Sequence, residues 1–440
     1  MHCHPVLQVA VLVSVSFGNP VPSSKAKLAP DVPDILTEVL NKAANFSNDI
    51  SYELSQLEVK ISDITTGKIN PVSTIEKCLS TLSSISSNRN KTILQKAIDV
   101  VSVGLVSTST IDILNGVTNH EINSVTNNNT KNPVPPIYPT KFPADAPYNI
   151  PETALRGAIY IPPSFSYGIT NKTPVVLIPG TADPAGSTFF FNYAKLFTEN
   201  PHTDPVWVNI PGTSRGDIQS NAEYVAYAIN YIAAVSQGAI GVLAWSQGSV
   251  DVQWALKYWP PTREAVSNFL VVSGDFHGTV VEMLCGLAEW VCPPSVLQQG
   301  YAARFIRALR GEDGDSAYVP TTKRGLASGA LGDVRGVGVS NVQVQIVCAG
   351  RPAGGLYSHS ATLVNPLAYA LFVDALAHDG PGRLERVDLD AVCGQSFAPG
   401  LDLGDVLGME TVSNVVGVLD VLLYGFSWNG EPPLREYVHR

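Results

Sequence analysis

The sequence has few charged side chains, and the positively charged ones form no cluster. Of its 440 residues, 15% are Asp, Glu, Lys or Arg, and the formal net charge is -10. Proteins that bind nucleic acid or an anionic membrane usually carry a basic patch. The lack of such a patch argues against nucleic acid as a partner.

Long hydrophobic runs are also scarce. The apolar run at residues 6–17 precedes Gly18, Asn19 and Pro20, which is the shape of a signal peptide, although the segment before it contains histidines and no Lys or Arg. No other apolar run is long enough to cross a bilayer. The sequence therefore predicts a secreted protein with a signal peptide over residues 1–20 and no transmembrane segment.

Cysteine is rare, with six in the chain, and removal of the signal peptide would take Cys3 with it. The five that remain would meet an oxidising compartment as an odd number, which leaves one unpaired. Sequons for N-glycosylation fit a secreted glycoprotein. They lie at Asn45, Asn90, Asn128 and Asn171.

The chain divides into regions of different composition. Residues 21–126 are polar with apolar residues at helical spacing, which predicts a helical N-terminal region without a catalytic motif. Cys78 lies on one of these apolar stripes and is read as a buried residue rather than a redox centre. Residues 127–151 are rich in Pro and Asn and predict a linker or an extended strap.

Residues 152–440 alternate short apolar strands with helices. Strands are predicted at 175–178, 206–210, 240–244, 269–273 and 342–347. Helices are predicted from the capping-box sequence Ser220 to Glu223 onward, at 249–258 and at 366–377. This alternation predicts an α/β fold, a mostly parallel sheet flanked by helices.

Ser246 lies in the sequence Ala244-Trp245-Ser246-Gln247-Gly248, between a predicted strand and a predicted helix. A nucleophile elbow of an α/β-hydrolase occupies this kind of turn, because the turn exposes the hydroxyl and the helix N-terminus favours negative charge. Ala244 stands where the strict motif has Gly. An ordinary strand-to-helix turn is the alternative interpretation.

Thr181 follows the first strand of this region in the turn Pro179-Gly180-Thr181. An oxyanion hole would lie there, formed by the backbone N–H groups of Gln247 and Thr181, with the Thr181 hydroxyl as a third donor. A plain turn threonine is the alternative.

Several motifs between about residues 173 and 393 resemble those of the fungal lipases similar to Candida antarctica lipase B, which have the α/β-hydrolase fold. They are the Pro-Gly-Thr turn, Asn221-Ala222-Glu223-Tyr224, Trp245-Ser246-Gln247-Gly248, Gln253-Trp254, residues 274–279, residues 294–299, Val319-Pro320-Thr321-Thr322 and residues 342–345 before Cys348. Many of these residues are not catalytic, so chance similarity is a poor explanation.

The resemblance implies a lipase or carboxylesterase with Ser246 as nucleophile, His359 as base, and Thr181 and Gln247 at the oxyanion hole. It implies a lipid or ester substrate, with a lipid–water interface as a further contact, and no metal or organic cofactor. It also implies a disulfide between Cys348 and Cys393, which would restrict the unfolded chain by roughly 4 kcal/mol.

The flap at residues 280–296 contains Cys285 and Cys292, which either form a second, short-range disulfide or remain free thiols. The flap is either a lid over the acyl pocket or a plain core helix.

The acid of the triad is missing from its expected place. The resembled family has it shortly after Thr322, but this chain reads Lys323-Arg324-Gly325 and places Gly329 where the Asp belongs. Three interpretations stay open: Asp333 takes the role, Asp275 takes it, or there is no acid. Loss of the acid in a serine triad costs about 10⁴ in turnover. A secreted pseudo-hydrolase that keeps the pocket is therefore the rival to a secreted serine lipase or carboxylesterase.

Overall fold

The structure is a computed structural model, and it describes residues 121–169, 172–279, 293–325, 329–355, 357–411 and 430–439. The predicted signal peptide, nearly all of the helical N-terminal region and most of the flap lie outside the described residues. So do Cys78, Cys285 and Cys292, and the choice between a short-range disulfide and free thiols stays a prediction.

The described strands form a seven-stranded sheet in the order β1-β3-β2-β4-β5-β6-β7. All neighbouring strands are parallel except β1, which is antiparallel to β3. The strands are β1 (Ile159–Tyr160), β2 (Thr173–Ile178), β3 (Thr203–Val208), β4 (Ile240–Trp245), β5 (Val266–Val272), β6 (Thr321–Arg324) and β7 (Val339–Val342). This mostly parallel sheet flanked by helices confirms the predicted fold class.

Helices cover both faces of the sheet. They are α1 (Glu152–Gly157), α2 (Ala185–Phe190), α3 (Tyr193–Glu199), α4 (Ile218–Ser236), α5 (Gly248–Tyr258), α6 (Pro261–Ala265), α7 (Pro294–Gln298), α8 (Arg304–Arg310), α9 (Val344–Val347), α10 (Pro366–Ala377), α11 (Leu389–Cys393) and α12 (Leu403–Thr411). Short 3₁₀ turns lie at Pro352–Gly354, Ala361–Val364, Leu384–Arg386 and Glu436–His439.

The central strands are largely apolar because both of their faces are covered. Every residue of β3 and of β4 is buried. Val176 and Ile178 belong to the core on one face, and Leu177, Leu243 and Trp245 to the core on the other. The sheet is therefore the shared wall of two cores, and its carboxyl edge is where the loops are free to carry function.

Most of the predicted elements are confirmed, with ends that differ by up to a few residues, but the predicted start of α4 is wrong. The helix begins at Ile218, and its N-cap is Asp217, whose side chain accepts a hydrogen bond from the backbone of Gln219. Ser220 lies inside the helix. Glu223 is fully buried and accepts from the backbone N–H of Asn149 at 2.6 Å instead of reaching back to a cap.

The predicted strand at residues 342–347 is also wrong in its extent. β7 ends at Val342, and Val344–Val347 forms a short helix. The register of β7 with β6 covers only four pairs, from Thr321 opposite Val339 to Arg324 opposite Val342. Because β6 ends at Arg324, the apolar residues after Val342 have no neighbouring strand with which to form hydrogen bonds.

The Pro/Asn-rich stretch packs against the domain as an extended strap. Within it Ile137 is 1% exposed, and the backbone N–H of Asn127 donates to the carbonyl of Gly157 at 2.8 Å. The segment is therefore attached to the sheet domain by buried side chains and by backbone hydrogen bonds.

A second strap, residues 430–439, covers the helix that follows Ser246. The indole of Trp254 on α5 donates to the Tyr437 hydroxyl at 2.9 Å. Arg435 pairs with the buried Glu223 of α4 at 2.5 Å. A buried carboxylate needs such a partner, because burying an unpaired charge is costly.

Cys348 and Cys393 form a disulfide, as the resemblance implied, and it closes a loop of 45 residues. The loop contains His359. Among the described residues, no helix has both the length and the apolar character needed to cross a membrane.

Candidate active site

The candidate site lies where the order of the strands reverses direction. β2 has β3 on one side and β4 on the other, so the chain departs from the sheet in opposite directions after β2 and β4. Ligands of open α/β sheets bind at such a switch point, beyond the carboxyl ends of the strands. Thr181 follows β2 and Ser246 follows β4, so both residues lie at this position.

Ser246 occupies a sharp turn between β4 and α5. Its φ of 55° is in the left-handed region, which non-glycine residues rarely adopt. A Cβ on Gly248 would lie 2.6 Å from the carbonyl oxygen of Pro179, so only glycine fits where the turn passes the loop after β2. This conformation and this crowding are those of a nucleophile elbow.

His359 lies within hydrogen-bonding distance of the nucleophile. Its Nε2 is 2.9 Å from the Ser246 Oγ. The carbonyl of His359 accepts from the Trp245 indole at 3.3 Å and from the Thr362 hydroxyl at 2.5 Å, and the Trp245 and His359 ring centroids are 5.1 Å apart. Both the backbone and the ring of His359 are therefore held against β4.

The electrostatic surroundings of His359 favour its neutral form. Desolvation by the protein atoms packed around the ring, assisted by the positive charge of Arg324, lowers the pKa of His359 to about 4. At neutral pH the imidazole is thus a free base that can accept the proton of Ser246.

The side chains around the expected oxyanion hole are fixed by a hydrogen-bond network. The Thr181 hydroxyl donates to Gln247 Oε1 at 2.5 Å, and Gln299 Nε2 donates to both residues, at 3.1 Å to Thr181 and 3.0 Å to Gln247. Gln247 also donates from Nε2 to the carbonyl of Ser214 at 2.7 Å. Gln247 is the N-cap of α5, where the first backbone N–H groups lack a partner within the helix.

This network corrects one detail of the sequence analysis. The proton of the Thr181 hydroxyl is directed at Gln247, so the hydroxyl positions the loop and is not a free third donor in this arrangement. The backbone N–H groups of Thr181 and Gln247 remain the candidate donors for an oxyanion. Gln299 belongs to the motif at residues 294–299, for which the sequence predicts no role, and it reaches the site from the end of α7.

Asp275 lies beside the nucleophile, at the carboxyl edge after β5. Its Oδ2 is 3.4 Å from the Ser246 Oγ, and its backbone N–H donates to the Ser249 hydroxyl at 3.0 Å. Desolvation raises the pKa of Asp275 to about 7, against the opposing effects of the Ser246 hydrogen bond and the Lys323 charge. The Ser246 hydroxyl donates to the Asp275 carboxylate.

Comparisons with known proteins find two fungal lipases similar to this chain. Lipase B of Pseudozyma antarctica is 32% identical over 278 residues, which are 60% of this chain and 78% of that protein. The crystal structure of Aspergillus fumigatus lipase B matches with a TM-score of 0.75 and 44% identity, over 92% of this chain and 100% of that one. The chain belongs to the lipase B family of fungal lipases.

Two other comparisons add nothing to that assignment. No family model matches the chain. The propeptide form of Bacillus licheniformis lipase BlEst2 aligns with a TM-score of 0.38 and 14% identity, over 51% of this chain and 54% of that one.

Within this lipase B relative, Asp333 lies far from the nucleophile. Its two carboxylate oxygens accept from the backbone N–H groups of Val337 and Gly338, at 2.8 and 3.0 Å. Gly338 in turn bonds to Thr321, at the amino end of β6, whereas Ser246 lies beyond the carboxyl ends of the strands. The carboxylate of Asp333 therefore stabilises a turn at the opposite edge of the sheet, and the structure does not bring it to His359.

Gly329, which aligns with the family's acid, lies in a closed position. A Cβ at Gly329 would be 2.2 Å from the carbonyl oxygen of Gly274 and 3.1 Å from Cε of Lys323. An aspartate cannot enter there without movement of the backbone. The structure thus offers no simple replacement of the acid at this position.

Two cations, Lys323 and Arg324, end β6 in this lipase B fold, and they are 1% and 2% exposed. Desolvation lowers the pKa of Lys323 to about 8 and that of Arg324 to about 10, and the charge of Arg324 lowers the pKa of Lys323 further. The signal in the sequence is the charged pair Lys323-Arg324 next to the apolar residues before it, but the sequence alone does not place this pair at the site. Among the described residues, no group of His, Cys, Asp and Glu could hold a metal ion.

Proposed function

We propose that the chain is a secreted serine carboxylic ester hydrolase that acts on lipid esters through an acyl-enzyme at Ser246. The observation that carries the proposal is the 2.9 Å contact between His359 Nε2 and the Ser246 Oγ at a nucleophile elbow. The names of the relatives, lipase B in both fungi, support an ester substrate of the lipid class.

The first half of the reaction uses four groups. The Ser246 Oγ attacks the ester carbonyl carbon while His359 Nε2 takes the hydroxyl proton, and the carbonyl oxygen becomes an oxyanion. The backbone N–H group of Gln247, at the start of α5, and that of Thr181, in the turn after β2, stabilise that charge. When the intermediate collapses, the bond to the alcohol breaks, and His359 returns the proton to the leaving alkoxide.

The second half repeats the same chemistry with water. His359 takes a proton from the water as its oxygen attacks the acyl carbon, and the proton then goes to the Ser246 Oγ as the acyl–serine bond breaks. A second alcohol in place of water would give acyl transfer. The chain supplies the nucleophile, the base and the oxyanion donors of both halves, and the ester and water supply the rest.

Secretion is part of the proposal. It is supported by the signal-peptide pattern at residues 1–20 and by the sequon at Asn128, whose side chain is exposed in the strap. Expression with residues 1–20 fused to a reporter would test it, and retention of the reporter in the cell would contradict it.

The test of catalysis compares the wild-type chain with Ser246→Ala. A fluorophosphonate probe should label the wild-type serine with loss of fluoride, and a p-nitrophenyl ester should be hydrolysed, and both reactions should disappear in the variant. Activity that survives in Ser246→Ala would contradict the assigned nucleophile.

A pseudo-hydrolase that retains the pocket is the second candidate, because Asp333 lies at the wrong edge of the sheet and cations end β6. Absence of both labelling and turnover in a folded wild-type chain would favour it. Slow but Ser246-dependent turnover would favour the hydrolase.

A further inference from the structure

Arg324 faces the side of the sheet that carries the catalytic base. In the register of the parallel strands, Trp245 of β4 is opposite Val272 of β5, and Val272 is opposite Arg324 of β6. Register partners project to the same face of a sheet. Trp245 lies against the His359 ring on this face, so the guanidinium of Arg324 belongs to the same layer as the imidazole.

No described carboxylate forms an ion pair with Arg324. Its Cζ lies 5.5 Å from the centroid of the Tyr357 ring, and its charge also acts on the buried Tyr193. Among the described residues, its Nε is buried and has no hydrogen-bond partner. An unneutralised buried cation acts over a longer range than one in water, because little solvent screens it.

The charged and titratable groups around His359 come from several elements. Ser246 and Asp275 lie at the ends of β4 and β5, Arg324 at the end of β6, and Tyr357 just before His359 itself. Lys323 alternates with Arg324 along β6 and so projects to the other face, where it acts on Asp275. Arg324 is therefore the cation that acts on His359 among the described residues.

We propose that Arg324 restrains His359, because its buried guanidinium opposes the positive charge that the imidazole acquires when it takes the proton of Ser246. A triad acid does the reverse, since it stabilises the imidazolium. Arg324 touches neither substrate nor the reacting atoms, and is a positioning residue that acts through His359. The inference deepens the proposed function and rests on it.

The experiment replaces Arg324 in the full chain by Met, by Gln and by Lys. Met and Gln remove the charge, and Lys keeps it. The lowered pKa of His359 should rise by about one unit in the two uncharged variants, so the acid limb of kcat/KM moves to higher pH. On the plateau above that limb kcat should rise about tenfold, because the imidazolium is no longer opposed. Lys should reproduce the wild-type profile.

A direct measurement makes the test independent of turnover. NMR titration of the ¹³C-labelled His359 ring gives the imidazole pKa even if the chain has no measurable activity. The signal of His359 is assigned as the one that disappears in His359→Gln. An unchanged His359 titration in both Met and Gln variants would overturn the inference. Absence of Ser246-dependent hydrolysis in the wild-type chain, together with a shifted His359 titration in the Met and Gln variants, would instead overturn the proposed function and leave the inference standing.

Stability provides a check on folding. Burying an unpaired charge is costly, so an apolar side chain of similar size in place of Arg324 should not destabilise the fold. The Met variant should therefore melt at or above the wild-type temperature, so it is the variant that keeps the test open if Gln does not fold.

Discussion

The carboxyl ends of β4 and β6 differ in how completely they form a catalytic centre. The end of β4 has the proposed nucleophile, the proposed base at 2.9 Å from it and a candidate oxyanion loop whose side chains are hydrogen-bonded. The end of β6 has Lys323 and Arg324 in place of a carboxylate. The first depends on a tight turn that sequence and sterics define within a few residues. The second depends on a loop, and a loop can change without disturbing the sheet.

The largest expected effect concerns the end of β4, where Ser246 and His359 should act together in catalysis. His359→Ala removes the general base, and we expect kcat/KM for a p-nitrophenyl ester to fall by about 10²–10⁴-fold. His378→Ala is the matched control, because His378 lies on α10's C-terminal side with half of its side chain exposed and pairs with Asp374. Equal activities of the two variants would show that His359 is not the base.

A second prediction concerns the end of β6 and the aligned position of the missing acid. Gly329→Asp should not create an acid. It should lower the free energy of unfolding by about 2 kcal/mol or more, since its Cβ would collide with the Gly274 carbonyl at 2.2 Å. Gly238→Asp is the control, because Gly238 is exposed and a Cβ there would lie 3.9 Å from its nearest neighbour, the carbonyl oxygen of Ser236. A rise in turnover in a stable Gly329→Asp would refute the prediction.

The disulfide links the loop of the base to the rest of the domain. Replacement of both Cys348 and Cys393 by Ala should cost about 2–4 kcal/mol of unfolding free energy, because the 45-residue loop between them is no longer closed. Denaturant titrations with and without reductant measure this. Reductant should destabilise the wild-type chain and leave the double variant unchanged, and an equal response of both would contradict the prediction.

The smallest expected effect is a pH dependence at Asp275. Its pKa is raised from 3.8 to about 7 in the folded chain, so the folded state holds a proton that the unfolded state has lost between those values. The contribution of Asp275 to the free energy of unfolding is therefore greatest below pH 4. It falls as the pH rises to about 7 and is constant at higher pH. Asp275→Asn removes the titration, so its stability relative to wild type should grow by about 1–3 kcal/mol over that interval.

Asp374→Asn is the control, because the pH dependence of unfolding that Asp374 causes should have the opposite sign. The hydrogen bonds from Arg386 lower the pKa of Asp374 despite its burial, so this carboxylate stabilises the fold above its unfolded pKa and loses that effect as pH falls. Parallel pH dependences of unfolding in the two variants would contradict the assignments of both carboxyl groups.

The sequence was informative where function depends on neighbours in the chain. Ser246, Gln247 and Gly248 form one turn, so a short motif predicts their arrangement, and the alternating strands predict the sheet around them. Asp333 was misplaced as a candidate because spacing along a loop does not reveal at which edge of the sheet the loop stops. Gln299 and Arg324 act through contacts between distant elements, and no local pattern encodes those contacts.

The strap formed by residues 430–439 has a consequence for biosynthesis. Trp254 follows Ser246 by eight positions, but its indole N–H donates to Tyr437, which is 183 positions later in the chain. The ion-pair partner of the buried Glu223 is Arg435, which is 212 positions later. While the ribosome is still translating that interval, both groups lack their partners. The nascent site therefore completes its packing only after residues 430–439 have emerged, and ribosome-bound chains that stop before residue 430 should be inactive and sensitive to protease around α5.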